Sequence, residues 1–155
     1  MSNTTTALSY DKIFNEIAEE CREKEIFSNS EEIKPNKKKP RFCRLQRTSI
    51  HYELQHYDLA GMVGIEIHIE KKSYGEKNDY SAKKEKVELL QRYLKYLTDV
   101  KIFGKQIMYD PCWYNCGRIY LLCDYSMGKE KILCYINEFI YQTRERINII
   151  VPNWD

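Results

Sequence analysis

Two alternating runs separated by four residues constrain this chain more than any other feature. In Ile50–Tyr57, Ile50, Tyr52 and Leu54 alternate with His51, Glu53 and Gln55. In Met62–Glu70, Val63, Ile65, Ile67 and Ile69 alternate with Gly64, Glu66, His68 and Glu70. A period of two puts successive side chains on opposite faces of an extended chain, so each run predicts a strand with one apolar and one polar face. A connection this short makes the strands antiparallel neighbours. With Leu59 and Ala60 at the turn, the apolar partners align as Leu54 with Ile65 and Tyr52 with Ile67. His51 then stands opposite His68, and Glu53 opposite Glu66.

The remaining pattern supplies elements to cover the apolar face. Tyr10, Ile13, Phe14, Ile17 and Cys21 recur at helical steps and predict an amphipathic helix from Ser9 to about Phe27, with Ser9 as its N-cap and residues 1–8 as a flexible lead-in. The polar, twice-proline segment Ser28–Pro40 reads as an exposed basic loop, and Arg41–Thr48 as a further strand. After the charged linker Lys71–Tyr80, Val87, Leu90, Tyr93, Leu94, Leu97 and Val100 predict a second helix starting near Ser81, with Gly104 just past its end. Lys105–Tyr109 and Gly117–Tyr125 read as strands, and Ser126–Ile147 as a last helix. The expectation is a single α+β domain over residues 1–155, ordered α-β-β-β-α-β-β-α, with three helices around a mainly antiparallel five-stranded sheet.

Composition narrows the class. A chain of 155 residues can bury a sizeable core without staples, and 13 Tyr against 6 Gly and 4 Pro is not the balance of a disordered chain. The sequence lacks an apolar run of spanning length and a secretory pattern at its start, which predicts a cytoplasmic protein with no membrane partner. In that reducing setting Cys21, Cys123 and Cys134, at apolar positions of regular segments, read as buried thiols. A net charge of +2 leaves any nucleic-acid role to a local patch.

Such a patch is Lys34–Arg47, where Lys34, Lys37, Lys38, Lys39, Arg41, Arg44 and Arg47 make seven of fourteen residues basic and Phe42 is interleaved. Lysines and arginines neutralise phosphates, and an aromatic ring offers a base a surface to stack on. Alternatively, the same lysines solubilise a loop and protect an edge strand. The polar faces of the hairpin form another constellation: His51, Glu53, Glu66 and His68 would share one surface, and imidazole with carboxylate suits zinc or manganese. Cys112 and Cys116 have no second pair at zinc-site spacing and read as a tight turn with packed Trp113 and Tyr114.

Asp58 followed by Glu70-Lys71-Lys72 resembles the Asp, then Glu-x-Lys, pattern of restriction-endonuclease-like nucleases. That resemblance implies a magnesium or manganese ion held by Asp58 and Glu70, with Lys72 positioning the attacking water. From Ser49 to Ile147, the segments KKEKVELLQRYLKYL, KQIMYD, GRIYLLCDY and KEKILCYINEFIYQTRERI also resemble an accessory domain at the C-terminal end of some restriction-nuclease-like proteins, which implies binding rather than catalysis. The favoured expectation is a non-enzymatic protein, without cofactor, that docks on a protein or nucleoprotein partner. Such a protein could be an inhibitor carried by a phage or mobile element, an anti-CRISPR protein among them, or an accessory subunit of a defence system. Its contacts would be the basic segment and exposed aromatics such as Tyr74, Tyr80, Trp113, Tyr114 and Trp154. The metal-dependent nuclease using Asp58, Glu70 and Lys72 is the rival.

Overall fold

The structure, a computed structural model, describes residues 3–24, 42–45, 50–70, 88–90, 92–111, 116–152 and 154. The main sheet is built from β1 (Phe42–Arg44), β2 (Ile50–Tyr57), β3 (Met62–Glu70), β6 (Met108–Asp110) and β7 (Cys116–Asp124). Its order is β1-β2-β3-β7-β6, and every pairing is antiparallel. The chain is therefore α+β with a five-stranded antiparallel sheet, as its alternation predicts. Long β7 lies between β3 and β6, paired with β3 from Met62↔Asp124 to Glu70↔Cys116, so the chain crosses back into the centre of the sheet after leaving β3.

The β2–β3 register is the one that apolar alignment predicts: Tyr52↔Ile67, Leu54↔Ile65, His51↔His68 and Glu53↔Glu66. At the turn Gly61 N–H donates to Asp58 O at 3.1 Å, and Gly61 takes φ +64. Leu59 and Ala60 are not among the residues with positive φ, so glycine rather than either of them takes the left-handed conformation that closes a four-residue hairpin loop.

Helix α1 (Asn3–Glu23) and helix α3 (Lys129–Ile150) lie on the apolar face. The first begins at Asn3, so Ser9 lies inside it and is not its N-cap. Apolar periodicity marks where a helix packs, and this one starts its backbone about two turns before its packing stripe. Phe14, Ile17, Ala18 and Cys21 of α1 meet a core that includes Ile132, Ile136, Phe139, Ile140 and Ile147 of α3. Tyr52 projects from β2 into this layer, where its hydroxyl lies 2.5 Å from Thr143 Oγ1 and its ring lies against Phe139 and Trp154. Trp154 is thus buried packing and not an exposed docking aromatic. Cys134 departs from expectation in the opposite sense: it sits on the exposed side of α3 between buried Leu133 and Tyr135, while Cys21, Cys43 and Cys123 are buried thiols.

The segment 94–110 is divided more finely than its pattern suggests. A short helix α2 (Leu94–Thr98) is followed by β4 (Lys101–Ile102) and β5 (Lys105–Gln106), which form a separate two-stranded sheet. Phe103 at φ 46 and Gly104 at φ 83 make the two-residue turn between them, so Gly104 belongs to a hairpin rather than to the end of a helix. The expected strand Lys105–Tyr109 breaks at buried Ile107, and only Met108–Asp110 joins the main sheet. A 3-10 turn, Tyr125–Met127, precedes α3, with Asp124 Oδ1 accepting from Ser126 N–H; the last helix therefore starts at Lys129 rather than Ser126. Among the described residues no helix is long and apolar enough to cross a membrane.

Candidate metal centre

Opposed residues of neighbouring strands share a face. The pairings place His51, Glu53, Gln55 and Tyr57 of β2, Gly64, Glu66 and His68 of β3, Arg118 and Tyr120 of β7, and Asp110 of β6 together, away from the apolar layer. Polarity alone would predict a solvated surface here. Instead His51 and Glu66 are fully buried, and Glu53, His68 and Arg118 retain at most 9% of their exposure.

Three donor atoms converge at one end of this patch. His51 Nε2 lies 3.1 Å and His68 Nδ1 3.6 Å from the same oxygen, Glu53 Oε2. One ligand atom from each residue falls within 4.8 Å of the others, and among the described residues no other cluster of metal-binding side chains forms. The two rings meet edge-on at 5.5 Å between centroids. Register explains the convergence: the imidazoles are directly opposite one another, and Glu53 is two residues along β2, the next position on the same face. Burial pushes the Glu53 carboxyl up, but the hydrogen bond from His51 and the charges of His68, His51 and Arg44 outweigh it and hold the group below the usual carboxylate range. The carboxylate is therefore the resident form, and the 3.1 Å contact is a donation from His51 Nε2.

Behind His68 lies a second layer. His68 Nε2 is 2.7 Å from Glu66 Oε2, while Glu66 Oε1 accepts from Tyr57 OH at 2.7 Å and from Arg118 Nη1 at 2.9 Å. The same Nη1 donates to Tyr57 OH at 2.6 Å, closing a ring of three contacts. The guanidinium lies 3.9 Å over the Tyr120 ring and 3.8 Å from Asp110 Oδ2. Arg44 stands opposite Glu53 on β1. Leaving the imidazoles aside, the carboxylates of Glu53, Glu66 and Asp110 against Arg44 and Arg118 leave one negative charge among the described residues. Burial makes neutralising such an excess favourable, by a proton or by a cation.

All four residues of the predicted metal constellation are brought together, but they divide the work. His51, Glu53 and His68 present ligand atoms to one point, whereas Glu66 is engaged with His68, Tyr57 and Arg118. Arg118 and Tyr57 escape sequence reasoning because nothing local marks a partner 52 or 61 positions away. The signal available was Arg118 itself, one charge inside an otherwise apolar strand. The nuclease constellation does not form in this way. Asp58 is exposed in the hairpin turn, its Oδ1 accepting from Leu59 N–H, and Glu70 ends β3 at the far end of the hairpin, roughly 26 Å from Met62 at strand rise. Lys72 lies outside the described residues.

Of the basic segment, Lys34, Lys37, Lys38, Lys39, Arg41 and Arg47 also lie outside the described residues, as do Cys112, Tyr74, Tyr80, Trp113 and Tyr114. Phe42, 42% exposed, and half-buried Arg44 lie on edge strand β1. Compared with protein-family models, curated proteins and solved structures, the chain has no significant match to any of them.

Proposed function

We propose that this protein binds a divalent transition metal, zinc foremost, through His51 Nε2, His68 Nδ1 and Glu53 Oε2. The convergence of these atoms carries the reading. Tetrahedral zinc with bonds of about 2.1 Å separates its ligand atoms by about 3.4 Å, and the separations of 3.1 and 3.6 Å from Glu53 Oε2 bracket that edge. Two imidazoles and one carboxylate form a donor set suited to zinc, manganese or ferrous iron; magnesium and calcium prefer all-oxygen surroundings. The carboxylate behind His68 is the outer partner that metal-bound imidazoles typically carry.

Binding at Nε2 would leave the His51 proton on Nδ1 and place a cation in the negatively charged patch; acid protonates the same ligand atoms in competition with the metal, so affinity falls as pH drops. Three protein ligands leave a coordination position for water or for a ligand atom from another group. That open position separates catalytic zinc sites from closed structural ones.

The test is titration of metal-stripped protein with zinc by calorimetry, beside elemental analysis of protein purified without added metal. One zinc per chain is expected, with affinity reduced at least about 10-fold by Glu53→Gln and by His51→Gln. Absence of saturable binding in the wild type, or unchanged affinity in both variants, overturns the assignment.

A further inference from the structure

The two imidazoles need not offer the same nitrogen to the metal, and the groups around His68 decide which one it offers. Glu66 Oε1 receives two donors, Tyr57 OH and the Arg118 guanidinium, and the carboxylate so paired meets His68 as an acceptor. Its other oxygen, Oε2, lies 2.7 Å from His68 Nε2, so that nitrogen must carry a hydrogen. Nδ1, 3.6 Å from Glu53 Oε2, is then the nitrogen left to meet a metal. On the other ring it is Nε2 that faces the same oxygen.

The backbone makes room for this arrangement at Gly64. A Cβ there would overlap Glu66 Oε1 and lie 2.9 Å from Tyr57 Cε2 and 3.1 Å from Glu66 Cδ. Gly64 is the residue between Tyr57 and Glu66 on this face, and its missing side chain lets the carboxylate lie back along β3 towards the tyrosine.

We infer that Glu66, clamped by Arg118 and Tyr57 over Gly64, is the positioning residue that holds His68 as the Nε2–H tautomer and makes Nδ1 its metal-binding atom. The site is then of mixed type, Nε2 from His51 and Nδ1 from His68. This rests on the metal reading for its consequence but not for its geometry. A carboxylate in this place raises the basicity of the ligating nitrogen and prevents the ring from turning.

Long-range proton–nitrogen NMR of the imidazoles in metal-free, uniformly labelled protein near neutral pH reads the tautomer directly. The expected pattern for His68 is a proton on Nε2; an Nε2 without one overturns the inference. Glu66→Ala is expected to lose the fixed tautomer and about 10–100-fold in zinc affinity, and Glu66→Gln, which keeps an acceptor oxygen, to recover part of both. Tyr57→Phe removes one clamp and leaves Glu66 in place, so it serves if the alanine variant does not fold; a measurable loss of affinity supports the clamp, and wild-type affinity overturns it. Failure of the wild type to bind zinc sinks the metal reading alone, because the metal-free spectrum still decides the tautomer.

Discussion

Gly64→Ala is the most direct test of whether the buried polar patch is held by the contacts described. Glycine inside a strand ordinarily costs stability, and replacing it with alanine gains about 0.4–1 kcal/mol where the backbone permits, through the unfolded chain's lower entropy. Here φ is not in the left-handed region, so the backbone permits it. The methyl would meet the Glu66 carboxylate, which must withdraw by roughly 1 Å to reach an ordinary C···O separation near 3.3 Å. That movement weakens the contacts from His68 Nε2, Tyr57 OH and Arg118 Nη1 together. Charged hydrogen bonds contribute about 1.5–3 kcal/mol each; partial loss of three, less the entropic gain, gives a net destabilisation of about 1–3 kcal/mol. Urea unfolding followed by circular dichroism would read this as a lowered midpoint at unchanged slope. The companion measurement is Gly64→Ala in a Glu66→Ala background, where the carboxylate clash is gone and only the Tyr57 ring, 2.9 Å away, must give, so the substitution is expected to cost less than in the wild type. Equal destabilisation in both backgrounds, or a more stable single variant, refutes the account.

Glu53 predicts an acid response. Its folded pKa lies below its unfolded value, so its contribution is fully present above the usual carboxylate pKa and disappears as pH falls through the lowered one; Glu53→Gln should flatten that part of a stability-versus-pH curve. His56 anchors α1 to the sheet, with Nε2 2.7 Å from Asp11 Oδ1, Nδ1 2.5 Å from Tyr125 OH, and its ring stacked on Phe14. His56→Ala should cost about 2–4 kcal/mol and expose α1 to limited proteolysis sooner than the rest of the fold. Burial pushes the thiols of Cys21, Cys43 and Cys123 up to about 12, 11 and 11, so thiol reagents at neutral pH should label exposed Cys134 well before these three; simultaneous labelling would contradict their burial.

Much of the fold was legible because a strand's period is two. Once Tyr52 and Leu54 had to meet Ile67 and Ile65, the pairing of His51 with His68 and of Glu53 with Glu66 followed, since a one-residue slip would have sent the isoleucines to the other face. Helices α1 and α3 were legible from their stripes for a similar reason, although Asn3 and Lys129 as their first residues were not. Sequence pattern places Gly104 just past a helix end because the strands of its hairpin are two residues long, too short for alternation to register.

The sequence alone determined which side chains would share a face, because strand geometry is local. Only the tertiary structure decided that this polar face is buried, that β7 lies beside β3, and that Arg118 therefore reaches Glu66. The physical reason is distance along the chain. A strand's own pattern says what it turns towards a layer but not which strand pairs at its edge, and that choice set a clamped carboxylate behind the three ligand atoms that the β2–β3 register brings together.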